Sequence, residues 1–161
     1  MSVTNIEKDY DALSLIVVAD FDAPVESVWQ LWADPRKLER WWGPPTHPAT
    51  VEDHEFAPGG AVTYYMTDPE GARYRGWWRI LSVEPPHTLE FDDGFADEHG
   101  FPVSEMPVTN NRVTLSEHAG GTRMELRAVF ASREQFDQIE AMGGVEGLRL
   151  SLGQMDALLT E

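Results

Sequence analysis

Residues 22 to 44 limit what this chain can fold into more than any other stretch. They read Asp22-Ala23-Pro24-Val25-Glu26-Ser27-Val28-Trp29, then Asp34-Pro35, then Trp41-Trp42-Gly43-Pro44. Upstream, Leu13, Leu15, Val17, Ala19 and Phe21 alternate as a strand does. Pro24 stands where the first residue of a helix favours proline. Val25, Val28, Trp29 and Trp32 then recur at the spacing of one helical face. Asp34 with Pro35 supplies a second cap and a second helix start, with Leu38 and Trp41 as its apolar contacts. The expected opening is therefore a strand, two short helices and an aromatic exit.

Beyond Pro48 the chain is β-rich. Residues 50–56 read as a strand ended by Pro58-Gly59-Gly60, and 61–67 as the next, alternating Val62, Tyr64 and Met66. The Asp68-Pro69-Glu70-Gly71 turn signal predicts a hairpin between 61–67 and 73–83. Pro85-Pro86 ends the second of these, and residues 87–91 form another strand. Residues 92–107, acidic and containing Gly and Pro, are expected to be a solvated loop or a lid. A last hairpin spans 108–118 and 122–131 around Ala119-Gly120-Gly121. The count is about seven strands joined mostly by short turns, an antiparallel meander.

The period changes at Ser132, which with Gln135 forms a capping-box pattern. Phe136, Ile139 and Met142 mark one helical face, continued roughly by Gly143, Gly147, Leu150 and Leu158. Leu148, Leu152, Met155 and Leu159 form a second stripe. Two stripes require burial on two sides, by the rest of the chain or by a second copy, so a homodimer is one expectation. Gly143, Gly144 and Gly147 each cost about 1 kcal/mol against alanine in a helix. Close packing, a kink or room for a ligand would account for them.

These pieces in this order resemble the START-like (SRPBCC, helix-grip) superfamily, and within it the branch named after the activator of the heat-shock chaperone ATPase. The resemblance rests on Ala23-Pro24 with Val28-Trp29, Trp41-Trp42-Gly43-Pro44, Pro58-Gly59-Gly60, Pro85-Pro86 with Leu89, Gly121-Thr122, and Met142-Gly143 with Glu146-Gly147. It covers nearly the whole chain and implies one α+β domain over 1–161. In such a fold, a curved antiparallel sheet of six to seven strands wraps around a long C-terminal helix. A cavity commonly lies between the two.

If that cavity exists, Trp41, Tyr64, Met66, Trp77, Trp78, Phe91 and Met142 are the candidates to bind a ligand in it. Aromatic faces suit flat apolar ligands, and methionine fits irregular ones. Trp77 and Trp78 are neighbours on one strand, so one should face inward and the other outward. Arg75, Arg79, Arg112 and Arg127 are expected on the outer face in cross-strand ion pairs, with Met124, Leu126, Ala128 and Phe130 turned inward.

Catalytic and metal signals are thin. None of the five histidines (His47, His54, His87, His99, His118) has a partner at helical ligand spacing. Asp92, Asp93, Asp97 and Glu98 lack the spacing of a calcium loop and read as solvated. His54 and Glu52 on one strand face would make at most a modest acid–base pair. No nucleotide-binding or serine-hydrolase motif occurs, and no motif asks for a cofactor. The net charge of −16 disfavours nucleic acid and anionic membranes as partners. There is no cysteine, so neither a disulfide framework nor a thiolate zinc site is expected and redox compartment cannot be read from it. The lack of a signal-like N-terminus or membrane-length apolar run makes a cytoplasmic location the default. The expectation is a non-enzymatic binding domain for a hydrophobic or aromatic small molecule. The alternatives are a cyclase- or aldolase-like enzyme on a polyketide-type substrate, or a protein-interaction module without the additional chaperone-docking domain of the eukaryotic activator.

Overall fold

In the computed structural model, which describes residues 3–161, eight strands form one antiparallel sheet in the order β1-β2-β8-β7-β6-β5-β4-β3. The strands are β1 (Val3–Asp9), β2 (Ser14–Phe21), β3 (Ala49–His54), β4 (Ala61–Thr67), β5 (Arg73–Glu84), β6 (Thr88–Ala96), β7 (Thr109–His118) and β8 (Gly121–Val129). The helices are α1 (Val25–Ala33), α2 (Pro35–Leu38), α3 (Arg133–Ala141), α4 (Gly144–Leu152) and α5 (Met155–Leu159). The sequence reading missed β1. Its burial is slight, so no clean alternation marks it, yet it pairs with β2 along its length.

The alternation read from the sequence sets the faces. Leu15, Val17, Ala19 and Phe21 of β2 are buried, as are Met124, Leu126 and Ala128 of β8 and Phe130 just beyond it. On the opposite face, cross-strand pairs join Arg123 to Asp20 and Arg112 to Glu90. Arg75 likewise pairs with Glu52 at 2.6 Å. The helices cover the apolar face.

Pro24 is the N-cap of α1, one residue earlier than the sequence suggested, and Asp34 caps α2 by accepting from the Arg36 N–H. Short as it is, α2 is fixed to the sheet edge. Glu39 just past it accepts from the Val51 N–H at 2.9 Å, and Arg36 donates to the Val51 carbonyl at 2.8 Å.

Two expectations change. Residues 92–107 are not wholly a loop: β6 continues through Asp92 and Asp93 to Ala96, leaving only 97–108 between strands. The two aspartates look solvated in isolation, but Asp93 continues the period-two pattern of Leu89 and Phe91. The C-terminal helix is also not one rod but three segments. The first break follows Met142, where Gly143 takes φ +79°, a left-handed conformation that ends α3. The second falls at Gly153–Gln154, where Gln154 donates to the carbonyls of Trp41 and Gly43. The second apolar stripe is satisfied within one chain: Leu152 and Met155 are buried, while Leu148 and Leu159 pack on the core. Among the described residues, no helix is long and apolar enough to cross a membrane.

A Cβ at Gly143 would meet nothing within 4 Å, so Gly143→Ala isolates the backbone cost of that bend. The expected loss is about 1 kcal/mol of unfolding free energy in urea titration, with an unchanged slope.

Candidate functional site

The interior between sheet and helices is filled by aromatic rings drawn from five places in the chain. Trp32 comes from α1, Trp41 and Trp42 from the turn after α2, Tyr64 and Trp78 from β4 and β5, and Phe91 from β6. Trp78 stacks on Phe91 with centroids 4.0 Å apart and meets Trp42 edge-on at 4.9 Å. Trp32 packs edge-on against Trp41 at 4.6 Å. These offset and T-shaped geometries suit the ring quadrupoles.

One side of this cluster is polar. Tyr64 lies opposite Gly76 in the β4–β5 register, and a Cβ on Gly76 would fall 2.4 Å from the tyrosine oxygen. Only glycine lets the ring lie flat across β5. The hydroxyl thereby reaches β6, where it donates to Asp93 Oδ1 at 3.2 Å. Asp93 pairs directly with Trp78 and so shares its inward face. The residue is half-buried overall, but its carboxyl is strongly desolvated. Burial pushes that carboxyl up to about 7, and the Tyr64 hydrogen bond pulls the other way. Burial, then the Asp93 charge, raises the Tyr64 hydroxyl well above its ordinary value.

The indole N–H groups of Trp42 and Trp78 are turned toward the Tyr64 oxygen and favour its charged form, but neither closes a hydrogen bond. With Trp32 Nε1, they are buried donors with no acceptor among the described residues. An unpaired buried donor costs about 1–3 kcal/mol. Trp41 differs, since its N–H donates to the Leu31 carbonyl at 2.8 Å.

Of the residues singled out from sequence, Trp41, Tyr64, Trp78 and Phe91 meet in this cluster. Met66 is half-buried at the far end of β4, paired with Ala49 and Tyr74. Trp77 is on the outer face, its ring over Gly94 and its N–H on the Phe95 carbonyl. Met142 is exposed at the end of α3. Sequence reasoning did not weigh Trp42 for its N–H and passed over Asp93. The run Leu89, Phe91, Asp93, Phe95 carried the missed signal, an acid in phase with a buried strand face. Beyond Asp93, Tyr74, Phe95, Val103 and Met106, together with the charged Arg73, Arg75, Asp97 and Glu98, line a concavity of about 250 Å³.

His54 and Glu52 do not pair. A bulge after Val51 turns Glu52 to Arg75, while a His54 ring nitrogen lies 3.1 Å from the Trp32 carbonyl. Among the described residues, no cluster of side chains could hold a metal ion.

The family model for Activator of Hsp90 ATPase homolog 1-like proteins matches residues 22–160. Protein Ms6760 from Mycobacterium smegmatis is 50% identical, covering 98% of this chain and 96% of its own, with a TM-score of 0.90. A protein from Arthrobacter aurescens is 52% identical, covering 99% and 92%, with a TM-score of 0.95. One from Rhodobacter sphaeroides, 24% identical over 97% of both chains with a TM-score of 0.82, shares the fold. No curated protein matches.

Because the folded state keeps Asp93 protonated where the unfolded chain does not, its contribution is fully present below about pH 4. It is lost as pH rises toward 7. Asp93→Asn should flatten the stability–pH curve over that window, by on the order of 4 kcal/mol relative to the parent. Urea titrations of both proteins at half-unit pH steps check this.

Proposed function

We infer that this chain, which belongs to the Activator of Hsp90 ATPase homolog 1-like family, is a binding domain for a small hydrophobic or aromatic molecule held between the curved sheet and the C-terminal helices. The observation that carries this reading is the set of indole donors left without acceptors in an aromatic interior. A core shaped only for stability would pair such groups or replace them with phenylalanine. Ring faces of Trp42, Trp78 and Phe91 offer flat walls, and binding there would draw mainly on apolar area removed from water, roughly 25 cal/mol per Å². A surface concavity lies beside Phe95 and Met106, and Gly143 divides α3 from α4.

A second reading is acid–base chemistry of the cyclase or aldolase kind, favoured by a carboxyl that titrates near neutrality beside a tyrosine hydroxyl. Its signature would be solvent deuterium entering the carbon next to the carbonyl of 2-indanone, abolished by Asp93→Asn.

Binding is tested with fluorene, a flat tricyclic hydrocarbon. Saturable quenching of tryptophan fluorescence is expected, with a melting temperature that rises with fluorene concentration. Native mass spectrometry of the purified protein should also retain an apolar small molecule that denaturing spectra release. No quenching, no thermal shift and a clean apo mass together would overturn this reading in favour of a protein-interaction role.

A further inference from the structure

Resting on the binding reading above, we propose that the ligand is electrically neutral and carries a carbonyl-type acceptor oxygen, lodged against the indole N–H groups of Trp42 and Trp78 beside the Tyr64 hydroxyl. Three features lead there.

Indole nitrogen can only donate, so the buried N–H groups of Trp42 and Trp78, whose rings both pack against Tyr64, can be satisfied only by an acceptor. The Tyr64 oxygen is the protein atom nearest to that role, and neither indole reaches it in hydrogen-bond geometry. Its own proton is already directed to Asp93. A ligand oxygen set between the indoles would accept from both.

The surroundings of that oxygen are flat and apolar. Trp78 stacks on Phe91, and Trp42 stands perpendicular to both Trp78 and Tyr64. A carbonyl on a planar ring system matches this shape, since its oxygen projects from the ring edge in the ring plane. An aliphatic alcohol would bring a second donor to a place already rich in donors.

Charge excludes the anionic alternative. The nearby arginines of β5, Arg73 and Arg75, lie over Tyr65 on the outer face, and Arg75 is bound to Glu52. A ligand carboxylate between the indoles would give up its hydration in an aromatic interior, and the chain's net charge of −16 disfavours it further. A neutral acceptor avoids both costs.

The test is calorimetric titration of the intact protein with three probes on one frame: fluorene, 9-fluorenone and fluorene-9-carboxylate. The ketone is expected to bind at least about tenfold more tightly than the hydrocarbon, and the carboxylate most weakly. In Trp42→Phe and Trp78→Phe the ketone-to-hydrocarbon ratio should fall toward one. The carbonyl stretch of bound 9-fluorenone should lie at lower wavenumber in the parent and move back toward its free value in the variants. Should a variant fail to fold, the probe series and the stretch in the parent protein still decide. Equal affinity for ketone and hydrocarbon would overturn this proposal while leaving the binding reading intact. Tightest binding of the carboxylate would overturn the claim of neutrality. Failure of all three probes to bind would overturn both readings.

Discussion

The ring of Trp78 is the fixed point of this molecule. It touches Phe91 across the sheet, Tyr64 along it, and Trp32 and Trp42 from the helical layer. Bulky rings in a close-packed interior tolerate few arrangements, so this single contact set determines how α1, α2 and the sheet sit together. Glycine makes the arrangement sterically feasible at two points. Gly76 lets Tyr64 lie across its strand. Gly43, at φ +108°, turns the chain where a Cβ would strike the His47 carbonyl. The Trp41-Trp42 backbone is then held from the other side by Gln154 at the α4–α5 joint. Helices far apart in sequence are thus fastened to one aromatic centre.

That centre carries features that cost stability. Phenylalanine at the Trp42 or Trp78 position would remove an unpaired donor, and an apolar residue at 93 would remove the cost of a desolvated acid. The chain instead keeps three such features within one small volume. Where local rules of packing and polar pairing are broken together, the usual reason is a functional site.

Much of this was legible in the sequence because it depends on periodicity and punctuation. The faces of β2 and β8, the hairpin turns and the paired helix starts with their prolines all come from spacing and turn chemistry. The opposed placement of Trp77 and Trp78 comes from strand pleat alone. The site was less legible for a physical reason. Asp93 becomes chemically special only through Tyr64, which is 29 residues away and reaches it across an intervening strand. No local pattern encodes that reach, since it depends on the β4–β5–β6 register and on the missing side chain at Gly76. β1 escaped notice for a different reason. As an edge strand held mainly by backbone pairing to β2, it needs no strong alternation of its own. The segmented C-terminal helix was half visible, because the glycines signalled a bend while the apolar stripes suggested continuity.

Charge connects the surface to the interior. Twenty-eight acidic residues against twelve basic ones surround a site whose ionisable pair is a carboxyl and a phenol. The field of the whole molecule and the loss of solvent at Asp93 act in the same direction, each favouring the protonated acid. The same field repels anionic ligands before they arrive, although salt screens that effect beyond about 8–10 Å. Within the aromatic interior the cost of stripping an anion of its water takes over, and salt does not screen that cost. Selection against anions therefore operates at two distances, and the long-range part alone should fade as ionic strength is raised. On the proposed reading, a neutral molecule enters the aromatic interior of so acidic a protein without any electrostatic help. The unpaired indole donors would then be what distinguishes one neutral ring system from another.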